Sequence, residues 1–183
     1  MPAGRLSLFF CLLFLFVLLY PPFRVLFVIC KYPCMPVFNT SLPIAIGSDH
    51  AGFPYKTELI RWLTQKGFRV HDFGTQSSAS VDYPDYAHPT ATSVEKGESA
   101  FGILLCGSAN GVCMTANKHP GIRAGLAYMP DVARLVRQHN DANIICIPAR
   151  FVALPLAQEM IDIFMTTPFE GGRHQTRIDK MTC

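Results

Sequence analysis

From Leu42 onward the sequence predicts a doubly wound α/β fold, with a five-stranded parallel sheet and helices on both faces. Two observations carry this. Short apolar runs alternate with amphipathic stretches long enough to form helical crossovers between parallel strands. The runs also end abruptly in polar loops, among them GSDHAG from Gly47 and CGSANG from Cys106. In an open parallel sheet such loops lie at the carboxyl ends of strands, where ligands bind.

Taken in order, Leu42 to Gly47 is the first strand, and it ends in Ser48, Asp49, His50, Ala51 and Gly52. The helix from Pro54 to Lys66 places Leu59, Ile60 and Leu63 on one face and stops at Gly67. Arg69 to Phe73 is the second strand. A serine-rich loop follows, and Asp82, Tyr83 and Pro84 open a helix of small residues ending near Gly97. Phe101 to Cys106 is the third strand, followed by the tight loop Gly107–Gly111 and a helix toward Lys118. Ile122 to Tyr128 is the fourth strand, and Pro130 starts a helix through Arg137 that ends over Gln138 to Asp141. Asn143 to Ile147 is the fifth strand, Val152 to Met165 a further helix, and a basic segment closes the chain from Glu170 to Lys180. No internal repeat or low-complexity linker appears after Met35.

Composition narrows the function. Half of the 183 residues are hydrophobic and only 16% are charged, which excludes a disordered chain. Arg5, Arg24 and Lys31 carry the whole net charge of +3, and beyond them basic and acidic residues balance at 13 each. A neutral domain gives no electrostatic argument for nucleic acid. The seven cysteines show neither CxxC pairs nor Cys/His spacing suited to zinc, so reduced thiols in a cytosolic-type enzyme are expected.

Residues 1–34 stand apart as a hydrophobic N-terminal extension, and the domain is expected over 35–183. LSLFFCLLFLFVLLY, from Leu6, is short for a membrane span but suits the apolar region of a signal peptide. Three readings compete: a signal peptide or uncleaved anchor, a spanning helix built from this run and the following VLFVIC, or a true translation start at Met35. The third is favoured, because the domain begins at Leu42 and needs nothing upstream. It implies a cytoplasmic protein, whereas a working leader would imply the secretory route or a membrane anchor.

The chemistry-bearing residues gather in the loops. Cys106 at a strand end, beside the start of a helix, has an environment able to lower a thiol pKa. The loops after the first and third strands leave the same sheet edge, which would bring Asp49, His50, Cys106 and Ser108 together. Arg173 and Arg177, at i, i+4 spacing, suit a phosphate gripped by guanidinium forks. Each residue also has a plainer role: Asp49 and His50 as a helix cap, His139, Asn140 and Asp141 as a helix end, the arginines as a solvated face. Together they point to proton-transfer chemistry on a phosphorylated metabolite, with no metal or cofactor required. CGSANG lacks GxGxxG spacing, which disfavours a nicotinamide dehydrogenase.

Six motifs make a specific resemblance: GSDHAG at Gly47, DYP at Asp82, CGSANG at Cys106, ANKHPGIRA at Ala116, HNDAN at His139 and EGGRHQTR at Glu170. In order and spacing, from Leu42 to Thr182, the chain resembles the type B ribose-5-phosphate isomerases, a family that includes galactose-6-phosphate isomerase subunits. The resemblance implies a Rossmann-like domain that interconverts ribose 5-phosphate and ribulose 5-phosphate through an enediolate. It casts Cys106 as the base between carbons 2 and 1, since Val112 stands where another branch carries a glutamate base. Gly107, Ser108, Ala109, Asn110 and Gly111 would stabilise the enediolate, and His139 would open the furanose ring. Asp49, His50 and Asn140 would bind sugar hydroxyls, and Arg150, Arg173 and Arg177 the phosphate. A homodimer or dimer of dimers, with sites shared between subunits, is implied. A six-carbon substrate such as allose or galactose 6-phosphate, or a non-catalytic sugar-phosphate-binding subunit, are the alternatives. Two residues depart from the family pattern. Ala109 and Pro148 both stand where glycine is usual, and Ala109 would be strained if its position requires positive φ.

Overall fold

A computed structural model describes residues 36 to 181. The expectations for the leader, residues 1–34, lie outside the described residues. Strands β1 (Ile44–Ser48), β2 (Val70–Asp72), β3 (Gly102–Cys106), β4 (Ala124–Leu126) and β5 (Ile144–Pro148) pair in parallel in the order β2-β1-β3-β5-β4. Between and after them run α1 (Phe53–Gln65), α2 (Pro84–Glu95), α3 (Asn110–Ala116), α4 (Pro130–Asn140), α5 (Leu154–Thr166) and α6 (Arg173–Ile178).

Apart from Ser48 at the end of β1, the central strands carry no polar hydroxyl, amide or charged side chain, because both of their faces are covered. Ile44, Ile46, Ile103, Leu105, Ile145 and Ile147 point to one face, against Leu59 and Leu63 of α1, Ala133 of α4 and Ala157, Met160, Ile161 and Phe164 of α5. The alternate residues Ala45, Leu104, Ile144 and Cys146 point to the other, against Ala87, Ala91 and Val94 of α2 and Val112 and Ala116 of α3. This is the doubly wound arrangement the sequence predicts. Cys106, Cys113 and Cys146 are free thiols. No helix among the described residues is long and apolar enough to cross a membrane.

Several boundaries differ from the sequence reading. The fourth strand is reduced to Ala124–Leu126 at the sheet edge, where Asn117 takes the place of a neighbouring strand: its Oδ1 accepts from Ala124 N at 2.9 Å and its Nδ2 donates to Ala124 O at 2.9 Å. Helix α4 ends inside the stretch expected to close it, running through His139 and Asn140 and stopping where Asp141 turns left-handed at φ 44°. Pro148 closes β5 at no cost to the ladder. The next residue, Ala149, donates to Cys106 O at 2.9 Å, while the side of β5 facing β4 needs no donor beyond Leu126.

One close approach fixes how the α2 layer sits on the sheet. A Cβ at Gly47 would lie 2.2 Å from Thr90 Oγ1 and 3.0 Å from the Tyr86 carbonyl, so α2 rests on the bare backbone of β1. Gly47→Ala is expected to lower unfolding free energy by about 1–3 kcal/mol through overpacking, read as a lower urea midpoint with unchanged m-value.

Candidate active site

The chain leaves β1 toward β2 on one side and returns to β3 on the other, which opens a crevice at the carboxyl ends of these two neighbours. Ser48 pairs with Leu105, so the next residues along the two strands, Asp49 and Cys106, emerge side by side. The Cys106 thiol donates to Asp49 Oδ2 at 2.9 Å. The other carboxylate oxygen, Oδ1, accepts from the backbone N–H groups of Ala51 and Gly52, both at 3.0 Å, so the side chain that turns the chain into α1 also holds the thiol.

His50 extends this edge. Its Nδ1 accepts from Val81 N at 3.2 Å, which in the neutral ring leaves the proton on Nε2 as a donor. Ser108 and Asn110 are exposed in the loop above the thiol. Ala109 is fully buried with φ 59° and ψ 0°, the left-handed conformation in which its methyl group costs about 1 kcal/mol. Arg150 covers the loop from β5: its backbone N–H donates to Gly107 O at 3.2 Å, and a Cβ at Gly107 would lie 3.2 Å from its Nε. Tyr83, quoted in the sequence only as part of DYP, leans its ring on Gly111, where an added Cβ would come within 2.6 Å. Bare backbone at these glycines lets two side chains close over the loop.

The thiol corrects one expectation. Burial, followed by the hydrogen bond and negative charge of Asp49, pushes the Cys106 thiol above its ordinary value, and backbone N–H groups of Ala109 and Gly107 pull the other way without prevailing. Helix α3 has only seven residues, and the carboxylate 2.9 Å away outweighs it.

His139, Asn140, Arg173 and Arg177 form a second group that does not join the first within one chain. Helix α4 runs back against the strand direction and delivers its last turn to the amino edge, four residues before Ile144 opens β5. Strands of five residues separate the two edges by roughly 15 Å. At the amino edge the His139 ring stacks on His174, with centroids 4.1 Å apart and planes 5° from parallel. His174 escaped the sequence reading, although its place between two arginines in EGGRHQTR was the available signal. It is buried, with Arg173 Nε and Arg177 Nη1 each 3.5 Å from one of its ring nitrogens. Burial and the neighbouring His139, Arg173 and Arg177 hold it below the ordinary histidine value, with the Glu170 carboxylate pulling the other way.

Among the described residues, His139, Glu170 and His174 have donor atoms within 4.8 Å of one another, the spacing of a metal site. The parallel rings do not converge on a common point, however, and the arginines face both nitrogens of His174. The cluster suits an anion such as a phosphate. The geometry thus comprises a thiol with a carboxylate partner under a backbone N–H loop at one edge, and a histidine beside an arginine pair at the other.

Comparison with known proteins gives this arrangement a family. The Ribose/Galactose Isomerase family model matches residues 44–181. Ribose-5-phosphate isomerase B of Escherichia coli is 45% identical over 139 residues, covering 76% of this chain and 93% of that protein. The ribose-5-phosphate isomerase B structure from Clostridium thermocellum superposes with a TM-score of 0.75 at 44% identity, covering 76% of this chain and 95% of that one. The Mycoplasma genitalium enzyme, solved with bound ribulose 5-phosphate, gives 0.74 at 43% identity, with coverage of 78% and 95%. With the strand order, the carboxyl-edge thiol and the matched span in agreement, the chain belongs to the ribose/galactose isomerase family.

Proposed function

We propose that this protein interconverts ribose 5-phosphate and ribulose 5-phosphate by proton transfer through an enediolate, in a homodimer whose sites combine the carboxyl edge of one subunit with the amino edge of the other. The observation that carries the chemistry is the Cys106–Asp49 contact beneath the 107–111 loop. The thiol sheds its proton along that 2.9 Å bond, and the thiolate removes the hydrogen on carbon 2. The electron pair moves into an enediolate, whose oxygen is stabilised by the loop N–H groups and the Ser108 hydroxyl. The O2 hydroxyl proton passes to O1, and Cys106 returns its proton to carbon 1. A thiol held high in pKa is a poor source of thiolate at rest, but the thiolate it yields is a strong base.

The remaining steps fall to the second edge. His139 opens the furanose by moving the anomeric hydroxyl proton to the ring oxygen, so that the aldehyde next to carbon 2 forms. Arg173, Arg177 and His174 hold the phosphate, joined by Arg150 across the interface, while Asp49, His50 and Asn140 bind sugar hydroxyls. Two half-sites about 15 Å apart in one chain cannot meet on one five-carbon sugar, and a second copy brings them together. The free thiols among the described residues and the family membership support action in the cytoplasm.

Three outcomes follow. Cys106→Ala is expected to abolish formation of ribulose 5-phosphate while keeping the thermal midpoint; an active variant would remove Cys106 as the base. Cys106→Ala and His139→Asn protomers, each inactive alone, should regain about a quarter of wild-type activity when unfolded and refolded together, because half of the reassorted dimers hold one intact site. No recovery would place each site within one chain. Iodoacetamide labelling of Cys106, followed by peptide mass spectrometry, should show its alkaline midpoint move to lower pH in Asp49→Asn. The sign follows from removing the negative charge that disfavours the thiolate.

A further inference from the structure

His139 acts from the last turn of α4, and that turn is held by an arginine to which the proposed reaction gives no task. Arg123 lies just before β4 at the amino edge. Its Nε donates to Asn140 O at 3.0 Å and to Asp141 O at 2.9 Å, and its Nη2 donates to Asp141 Oδ2 at 2.7 Å. The other carboxylate oxygen, Oδ1, accepts from Arg137 Nη1 at 2.9 Å. Arg137 is anchored in turn: it is buried, donates to the Ala142 and Thr167 carbonyls, and its guanidinium lies 4.6 Å from the Phe38 ring centroid. Between the two arginines Asp141 is left-handed at φ 44°, a conformation that a residue other than glycine keeps only where its surroundings enforce it.

Arg137 is built into the core and serves stability. Arg123 is only partly buried, with 31% of its side chain exposed, yet its Nε and Nη2 make three hydrogen bonds to two backbone carbonyls and one carboxylate of a single turn. Both carbonyls belong to the end of α4, where backbone C=O groups have no partner within the helix, so Arg123 closes that end from outside. The effect is to fix the direction in which α4 ends, and with it the ring of His139 and the side chain of Asn140.

We propose that Arg123 is a positioning residue for ring opening: its guanidinium fork locks the Asn140–Asp141 turn so that His139 is presented in register with the furanose ring oxygen and anomeric hydroxyl. This rests on the ring-opening role proposed for His139. A lysine keeps the charge but cannot span two carbonyls and a carboxylate at once, so the fork geometry is the tested property.

The experiment separates ring opening from enediolate formation. Ribulose 5-phosphate has its 5-hydroxyl esterified and no furanose form, so exchange of its carbon-1 hydrogen with deuterated water needs Cys106 and the phosphate site but no ring opening. In Arg123→Lys and Arg123→Gln, saturated turnover of ribose 5-phosphate should fall on the order of 10²-fold, the effect of misplacing a catalytic group by about 1 Å, while carbon-1 exchange stays near the wild-type rate. Retained exchange also reports an intact fold and dimer, which a merely structural role for Arg123 would not preserve. Wild-type turnover in both variants, or parallel loss of turnover and exchange, overturns the proposal. His139→Asn is the reference. If it loses turnover and exchange together, the ring-opening role of His139 fails on its own account; if it shows the split and the Arg123 variants do not, Arg123 is not its positioning residue.

Discussion

The parallel pairing of β1 with β3 is the constraint on which the rest of the site depends. With Ser48 opposite Leu105, the first residues past the ladder are Asp49 and Cys106, and a carboxylate meets a thiol without any loop having to find it. A slip of one residue would turn Ile44 and Ile46 off their shared face and also part this pair. The apolar layers on both sides of the sheet therefore set the register of the chemistry. Gly47, with no room for a methyl group beneath α2, and Gly107, with none beneath Arg150, show how closely the covering elements approach.

Among the described residues the two that adopt positive φ without being glycine are Ala109 and Asp141. One lies in the loop over the thiol and the other ends the helix that carries His139. Each costs about 1 kcal/mol relative to a relaxed backbone, and each is held from several directions: Ala109 by complete burial, Asp141 by two arginines. Local strain thus sits at both halves of the site, where a fixed backbone direction matters more than stability.

The electrostatics of the two edges are opposed. At the carboxyl edge burial and the negative charge beside the thiol raise the proton affinity of the sulfur proposed as the base. At the amino edge guanidinium groups flank a buried histidine held below its ordinary value, a setting for phosphate. A sugar phosphate spanning two copies of the chain would present its reacting end to the first and its anionic end to the second.

The alternation of apolar runs and crossovers determined the fold class, because a strand buried on both faces has to be apolar throughout and a parallel neighbour has to be reached by a helix. The polar strand-end loops and the six motifs determined the family and marked the residues proposed to carry its chemistry. The edge on which His139 lies was also implicit, since a helix returning to start the next parallel strand must end at the amino edge. Three things were decided only by the tertiary structure. The sign of the Cys106 shift depends first on burial and then on a carboxylate 57 residues away, and no local pattern encodes either. The part played by His174 appears only when α6 folds back onto α4, and that of Arg123 only when the segment before β4 closes on the end of α4. Each is a contact between segments distant in sequence, and such contacts exist only once the layers have packed.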